Sequence, residues 1–382
     1  MNIVAAVSIA IGIAIAPLAS AQTGGYPASP SHTIVGTNPD GTPRYGNEPA
    51  KDANRSVDTA DQSGLNASGN RSEGADTPML QLEAKIPLGD VHGRIDHMAV
   101  DLARQRLLVA ALGHGGLAVA DLKTRHLDRI VGNLPEPQGV GYDPVTDTIY
   151  VANAGDGSLR LFKGADFTPA GRIELGSDAD NVRVDSKAGR VIVGHGDGAL
   201  AILDAATHTI IASAALKAHP ESFQLDGGSE RIFVNLPNAD AIGVVNRTTG
   251  KEIASWPTVG HSANFAMALD QARQHVLVAF RRPAELGVFS AADGKPIASL
   301  QTCGDIDDVF VDSRRDRVYV SCGQGFMDVL TADGATYRSA GRIPTAAGAR
   351  TSLFVPELDR LLLAVPAGST SGAAIWIYRP SP

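Results

Sequence analysis

The sequence has few cysteines and few aromatic side chains. It contains two cysteines, Cys303 and Cys322, which excludes a scaffold of several disulfides and a zinc site built from four thiolates. Aromatic residues make up 5% of the 382 residues, whereas apolar residues make up 43%. The chain can therefore bury a large core, and that core must consist mainly of aliphatic side chains.

Positive charge is also scarce. Lysine and arginine total 33 against 41 aspartates and glutamates, which gives a net charge of −8. Proteins that bind nucleic acid usually present a basic surface, so we expect no nucleic-acid partner.

Several motifs that would identify an enzyme are missing. There is no Gly-x-Ser-x-Gly elbow and no Cys-x-x-Cys-His, which argues against a serine hydrolase of the usual kind and against covalent haem. The glycine-rich stretches GHGG (113–116) and GHGDG (194–198) lie in turns between predicted strands. A phosphate or dinucleotide site would need a helix after them, and no helical period follows.

One long apolar run is present, at the start of the chain. Residues 3–16 are followed by Pro17 and by Ala19-Ser20-Ala21, a pattern typical of a signal peptide cleaved after Ala21, although no Lys or Arg precedes the run. The run is shorter than the ~20 residues of a membrane helix. We expect residues 1–21 to be a signal peptide, and the mature protein to be periplasmic or secreted without an integral membrane span.

Residues 22–79 differ in composition from the rest of the chain. They are rich in Gly, Asn, Asp, Ser, Thr and Pro and poor in large aliphatic residues. Such a segment cannot bury enough apolar surface to offset the entropy of ordering. The sequence predicts a disordered leader here.

From residue 80 onward the chain repeats. Each unit has an apolar run that ends at an anchor position, followed by a turn and a second apolar run. Successive anchors lie 42, 42, 41, 44, 42 and 44 residues apart. The anchors are Asp101, Asp143, Asp185, Asp226, Asp270, Asp312 and Pro356. Seven units with this period, each readable as four short strands, predict an all-β, seven-bladed β-propeller over residues 80–380.

The two ends of the repeat array complement each other. The last unit is one strand short, and the stretch LQLEAKIPL (80–88) forms a spare strand before the first unit. We expect this N-terminal strand to complete the last blade and close the ring, which removes the exposed sheet edges of a linear array.

The repeats resemble a known family. DTIYVANAGDGSLRLFKG and RVYVSCGQGFMDVLTADG are similar to the YVTN-type repeats of YncE-like bacterial β-propellers, over roughly residues 80–380. GRIDH, PQGV, DADNVR, HPESFQL and GARTSLFVPEL are similar to motifs of one exported subgroup, whereas the Gly-His and Trp-Asp signatures of WD40 blades are missing. The resemblance implies location and shape and no particular reaction.

The loops before the first strand of each unit are rich in polar side chains. First strands border the central channel of a propeller, so these loops should converge at one rim and form a pocket. The predicted ligand-binding residues are Arg94, Asp96, His97, Gln138, Asp178, Asp180, Asn181, Arg183, His219, Glu221, Asn264, Asp305, Asp307, Asp308 and Arg350. Six of the ten histidines are expected at this mouth, namely His92, His97, His114, His195, His219 and His261, whereas His32, His126, His208 and His275 are expected elsewhere.

These residue types suit more than one chemistry. Carboxylates bind Ca²⁺ or Mg²⁺, and carboxylates with histidine bind Zn²⁺ or another transition ion, so a divalent metal ion is a candidate cofactor. The candidate metal ligands are His97, His219, Glu221 and Asp307. His–carboxylate pairs also transfer protons near neutral pH. The arginines could clamp an anionic ligand or pair with aspartates across blades in a purely structural role.

The two cysteines fall at the same predicted rim. Cys322 is expected opposite Ile306, three residues from Cys303, if the hairpin of the sixth unit turns near Ser313. An exported protein meets an oxidising compartment, so a disulfide is a candidate, and two free thiols are the alternative.

The sequence therefore favours an exported propeller that binds a small molecule, a metal ion or an exported protein at the mouth of its channel. A lactonase-like hydrolase is the first alternative, because other propellers with His, Glu and Asn at the channel mouth perform that chemistry. A scaffold that holds a partner on its outer blade faces is the second alternative. No catalytic residue is assigned.

Overall fold

The computed structural model describes residues 78–382 and the backbone of two short strands nearer the N-terminus, β1 (Ile34–Thr37) and β2 (Pro43–Tyr45). These two strands pair antiparallel. The predicted signal peptide lies outside the described residues, and so does most of the predicted leader. The description below concerns the compact unit that contains the repeats.

Seven antiparallel sheets of four strands form the repeat region, which confirms the predicted propeller. Blade 1 contains β4 (Met98–Asp101), β5 (Arg106–Ala111), β6 (Gly116–Asp121) and β7 (His126–Val131). Blade 2 contains β8 (Pro137–Asp143), β9 (Thr148–Asn153), β10 (Ser158–Lys163) and β11 (Pro169–Glu174). Blade 3 contains β12 (Val182–Asp185), β13 (Arg190–His195), β14 (Ala199–Asp204) and β15 (Ile210–Ala215). Blade 4 contains β16 (Phe223–Leu225), β17 (Arg231–Leu236), β18 (Ala241–Asn246) and β19 (Lys251–Pro257).

The remaining blades follow the same order. Blade 5 contains β20 (Ser262–Asp270), β21 (His275–Arg282), β22 (Ala284–Ser290) and β23 (Pro296–Gln301). Blade 6 contains β24 (Ile306–Asp312), β25 (Arg317–Cys322), β26 (Phe326–Asp333) and β27 (Thr336–Pro344). Blade 7 contains β28 (Ser352–Val355), β29 (Arg360–Val365) and β30 (Ala374–Pro380), and its fourth strand is β3 (Leu80–Pro87). The described helices are two short 3₁₀ helices, Leu112–His114 and Pro237–Ala239.

The N-terminal strand closes the ring, as the sequence predicts. β3 pairs antiparallel with β30, from Leu80 opposite Pro380 to Pro87 opposite Ala374. Ile86 is fully buried and belongs to the core cluster shared by blades 7 and 1. The last blade is therefore completed by the first strand of the repeat region, and the ring has no open end.

The core lies between neighbouring blades, because each sheet buries both faces against the next. Leu107 and Val109 of blade 1 pack with Leu362 and Ile375 of blade 7. Equivalent clusters occupy the other inter-blade spaces. Most of their members are Val, Leu, Ile and Ala, which agrees with the low aromatic content.

The anchor aspartates end the first strands by accepting hydrogen bonds from the turns that follow. Asp101 accepts the backbone N–H of Arg104 at 3.1 Å and also pairs with the Arg104 guanidinium at 3.0 Å. Arg104 then reaches Asp147 of blade 2 at 2.8 Å. Ion pairs of this kind join blades at the rim opposite the predicted mouth, so the repeated Asp has a structural role.

A disulfide joins Cys303 to Cys322, with the two Cα atoms 5.8 Å apart. Ile306 lies opposite Cys322 in the β24–β25 pair, which is the register expected from the sequence. Both cysteines are buried in the core between blades 5 and 6. The bond ties the loop that leads into β24 to the end of β25.

No helix in the described part of the chain is long and apolar enough to cross a membrane.

Candidate binding site at the mouth of the central channel

The first strands of the blades enclose a central cavity of about 540 Å³. This volume falls within the range of roughly 300–1,000 Å³ that is usual for small-molecule pockets. One polar layer of its lining consists of residues four positions before the anchors, namely His97, Ser222, Asp308 and Ser352. This layer faces the rim at which the predicted loops converge.

A repeated backbone pattern positions the loops at this rim. In blade 3 the N–H of Asp180 donates to Gly194 O at 2.9 Å, and the N–H of Gly194 donates to Asn181 O at 3.0 Å. Blade 1 has the same pair of bonds between residues 96–97 and Ala110, and blade 4 has it between residues 221–222 and Asn235. The side chain five residues before the anchor is therefore held at an equivalent place in these blades.

Four carboxylates occupy that place in the repeat. Because they come from blades 1, 3, 4 and 6, they surround the channel mouth from different directions. They are Asp96, Asp180, Glu221 and Asp307. Like charges at one mouth repel each other, so the groups that neutralise each carboxylate decide what the site can bind.

Arginines neutralise two of the four. Arg281 donates to Asp307 Oδ1 at 2.5 Å, and Arg350 lies 3.3 Å from Asp307 Oδ2 and 2.7 Å from Asp305 Oδ1. Arg94 donates to Asp96 Oδ2 at 2.5 Å. Asp96 and Asp307 are thus held in ion pairs, and the desolvated carboxylates have partners.

The other two carboxylates, Asp180 and Glu221, face histidines. Ligand atoms of Asp180, His219 and Glu221 all lie within 4.8 Å of one another. His219 Nε2 is 3.9 Å from Asp180 Oδ2, and His97 Nε2 is 4.0 Å from Asp180 Oδ1. At its other nitrogen, His219 Nδ1 lies 3.5 Å from Asp178 Oδ2. No arginine lies within ion-pair distance of Asp180 or Glu221 in the described residues. We call the side of the mouth that contains Asp180, His219 and Glu221 the acidic half.

Burial and neighbouring charges shift the pKa values of these groups. Burial raises the pKa of Glu221 to about 8, and the charge of Asp180 adds to the effect. Burial opposes the charged form of His219, but the Asp180 carboxylate and the Gly196 carbonyl raise its pKa to about 9. Burial also opposes ionisation of Asp180, yet His219 and His97 hold its pKa below the usual value. The acidic half therefore favours positive charge.

Two further predicted residues line the channel just below the mouth. Asp308 accepts the backbone N–H of Ser352 at 2.7 Å, and burial raises the pKa of Asp308 to about 7. The Arg183 guanidinium stacks over the Phe223 ring at 5.3 Å and donates to Val182 O at 3.0 Å.

Three of the predicted residues have amide side chains, and the structure places each of them differently. Asn264 is wrongly placed by the sequence argument, since its amide donates to Asn235 Oδ1 and Ala241 O inside the core at the blade 4–5 boundary. Asn181 is buried, and its amide donates to Asp180 Oδ2 at 3.4 Å. It therefore contacts a carboxylate of the acidic half. Gln138 lies half-buried near the start of β8.

The histidines divide between the mouth and other places. His97 and His219 belong to the cluster. His92 and His114 pair with each other, with their Nδ1 atoms 3.1 Å apart. His261 turns away from the axis, because its Nε2 binds Glu285 of β22 at 2.8 Å. The expectation that six histidines share one mouth is therefore wrong for His261, which was assigned from chain position alone.

Arg281 also belongs to the site, although it is not among the residues predicted from the sequence. This residue lies near the end of β21, and its guanidinium stacks on Phe265 at 3.9 Å while it binds Asp307. Phe265 stands five residues before the anchor of blade 5, where four other blades have a carboxylate. The signal was available, since the loop after each second strand opens on the same rim and FRRPAE (280–285) is unusually basic there.

Asp308 gives the site a pH-dependent effect on stability. An aspartate has a pKa near 3.9 in an unfolded chain, so a folded value near 7 means that ionised Asp308 destabilises the fold progressively between about pH 4 and pH 7. We expect Asp308→Asn to raise the free energy of unfolding, with a gain at about pH 8 that exceeds the gain at about pH 4 by roughly 4 kcal/mol.

Urea unfolding in EDTA at several pH values measures this gain. The charges that act on Asp308 are His97, Asp307 and Arg183, and all remain in the variant. Exposed Asp333→Asn is the control for loss of one negative charge. A gain that does not change with pH would contradict the raised pKa.

Comparisons with known proteins bear on the fold. No family model and no curated protein matches the chain. Many solved structures do match. One is a chain from the crystal structure of a mitotic checkpoint complex, with a TM-score of 0.67 and 9% identity over 85% of this chain and 98% of that chain. At this identity the likeness shows the propeller fold alone.

Proposed function

We propose that this protein is an exported, YncE-like β-propeller that binds a divalent metal ion in the acidic half of its channel mouth. Export is supported by the signal-peptide pattern of residues 1–21 and by the disulfide, which suits an oxidising compartment. The family assignment is supported by the YVTN-type repeats. The metal proposal is supported by the geometry of Asp180, His219 and Glu221.

One observation carries the metal proposal. Asp180 is 4% exposed, and its Oδ1 atom has no hydrogen-bond partner among the described residues. A buried carboxylate oxygen without a partner is costly, so a native protein normally supplies one. His97 Nε2 lies 4.0 Å from this oxygen, which is too far for a hydrogen bond. A cation bound to the Asp180 carboxylate, with His219 and Glu221 as further ligands, would give the carboxylate the partner that it lacks.

The orientation of His219 fits a metal ligand. Its Nδ1 lies 2.6 Å from Gly196 O, and a carbonyl can only accept, so Nδ1 carries the proton. Nε2 points toward Asp180 and Glu221, and a bound metal ion would take the place of the proton that Nε2 carries near neutral pH. Metal-binding histidines usually hold their second nitrogen in this way, on a carbonyl or a carboxylate.

The ligand types narrow the choice of ion. One imidazole with two carboxylates, and a second imidazole on His97 nearby, suits Zn²⁺ or a similar transition ion better than an all-oxygen Ca²⁺ site. Such an ion would polarise a bound carbonyl or acidify a bound water.

Titration with Zn²⁺ tests the proposal. The sample is protein from the exported fraction, whose N-terminus is expected at Gln22, after removal of metal with EDTA. We expect one ion per chain by calorimetry. Loss of a residue that only hydrogen-bonds to a metal ligand typically weakens metal affinity about 10–100-fold. His219→Ala and Glu221→Gln each remove a direct ligand, so either change should weaken Zn²⁺ binding about 100-fold or more.

The matched control is His126→Ala, which removes an exposed histidine from the outer strand of blade 1. It should bind Zn²⁺ like the parent. Equal affinity in the parent, His219→Ala and Glu221→Gln would overturn the assignment, as would a parent that binds no ion.

A further inference from the structure

Arg183 is the one described arginine at the channel that lacks a carboxylate partner. Arg94, Arg281 and Arg350 all make ion pairs at 3.6 Å or less. No carboxylate oxygen of the described chain lies within 4.0 Å of the Arg183 guanidinium, and its hydrogen bond goes to Val182 O. An arginine has five N–H donors, so most of those on Arg183 are free to bind something else.

The surroundings of Arg183 make this arrangement costly without a partner. The residue lies on β12 within the channel wall, and burial lowers its pKa, while Asp308 and Asp180 offset this only from beyond ion-pair distance. The side chain is half-buried in the channel wall, and a cation that has lost part of its water is expected to have an anion beside it. Residues 78–382 supply none in direct contact.

The channel beside Arg183 has room for a small molecule with an apolar body. Arg183 stands two residues before the anchor of its blade. At the same position in other blades the channel wall has the small residues Ala99, Gly141 and Ala268, and blade 4, next to that of Arg183, has Gln224. Phe310 of blade 6 occupies the same layer and is partly exposed. Below this layer the lining is largely apolar, with Val184, Leu225 and Val311 among its members.

From these observations we infer that the channel binds a small organic carboxylate, with its anionic group on Arg183 and its apolar or aromatic body against Phe310 and the small residues. A planar carboxylate matches the guanidinium fork in a bidentate contact. This site lies deeper than the acidic half, and Arg183 is not one of the proposed metal ligands.

Benzoate is the probe, since it combines a carboxylate with a flat apolar ring. Binding is measured by calorimetry in EDTA, with neutral benzamide and inorganic phosphate as comparison compounds. We expect benzoate to bind at least about tenfold more tightly than either, because benzamide lacks the charge and phosphate lacks the apolar body.

Arg183→Met should weaken benzoate about tenfold or more, whereas Arg338→Met, which removes an exposed arginine from the outer strand of blade 6, should not. Ala99→Leu keeps Arg183 and narrows the channel, so it should also weaken benzoate. Because benzoate binding is measured in EDTA, its result does not depend on whether the acidic half holds a metal ion.

Equal binding of benzoate and benzamide by the unaltered protein would overturn the inference, and this comparison needs no variant to fold. Full benzoate affinity in Arg183→Met would overturn it as well. Phosphate binding as tight as benzoate binding would contradict the apolar part of the site.

Discussion

A chain of residues 89–382, which lacks β3, is expected to lose cooperative unfolding and to aggregate. Leu80, Ile86 and Leu88 are at most 2% exposed. Burial of each contributes about 1.5–3 kcal/mol, and a whole domain is stable by only about 5–15 kcal/mol. The truncation also exposes the edge of β30 and opens the ring, so the loss should exceed what the remaining blades can offset.

The control is a chain of residues 74–382, which keeps β3 and should melt like the mature protein. A matched pair of point variants tests the same strand without truncation. Ile86→Asp places an unpaired charge in the core between blades 7 and 1 and should prevent folding, whereas Gln81→Asp on the exposed face of β3 should be tolerated. Calorimetric scans distinguish the outcomes. A cooperative transition in 89–382 would show that closure by β3 is dispensable.

Asp312→Ala is expected to destabilise the propeller by about 3–5 kcal/mol, the usual cost of breaking a buried ion pair. Asp312 is 1% exposed. Its carboxylate pairs with Arg315 at 3.0 Å and accepts the hydroxyl of buried Tyr319 at 2.9 Å. Arg315 continues to Asp359 of blade 7 at 2.7 Å, so the change weakens a connection between blades.

The contrast is Asp293→Ala, which breaks the Lys295–Asp293 pair at 2.7 Å. The side chains of that pair are 80% and 44% exposed, so water replaces the lost contact and no measurable change in unfolding is expected. Urea denaturation measures both variants. Similar losses in both would mean that the anchor aspartates act through their charge alone and not through the buried network.

Much of the fold could be predicted from the sequence because propeller blades are repeated and local. The anchors at Asp101 and its equivalents mark the end of a first strand in every unit, and each hairpin pairs residues close in sequence. Closure by residues 80–88 followed from counting strands. The register that places Cys322 opposite Ile306 followed from the position of one turn.

The sequence predicts the rim at which the candidate site lies, but it does not predict the direction of every side chain there. The loops before the first strands had to meet at one rim, and Asp180, His219 and Glu221 do meet there. Chain position alone could not show that Asn264 turns into an inter-blade core or that His261 turns toward Glu285. Both depend on side-chain directions that are set by packing against residues of another strand.

The number of blades, the closing strand and the rim at which the polar residues gather all follow from the sequence, because the repeat period and the alternation of apolar residues can be read along one chain. Which charges are paired is visible only in the folded protein. Arg281 neutralises Asp307 from a different blade. Within residues 78–382, one oxygen of Asp180 has no hydrogen-bond partner, and the guanidinium of Arg183 has no carboxylate partner. Ion pairing depends on distances of a few ångströms between blades, and the spacing of residues along one chain does not contain those distances.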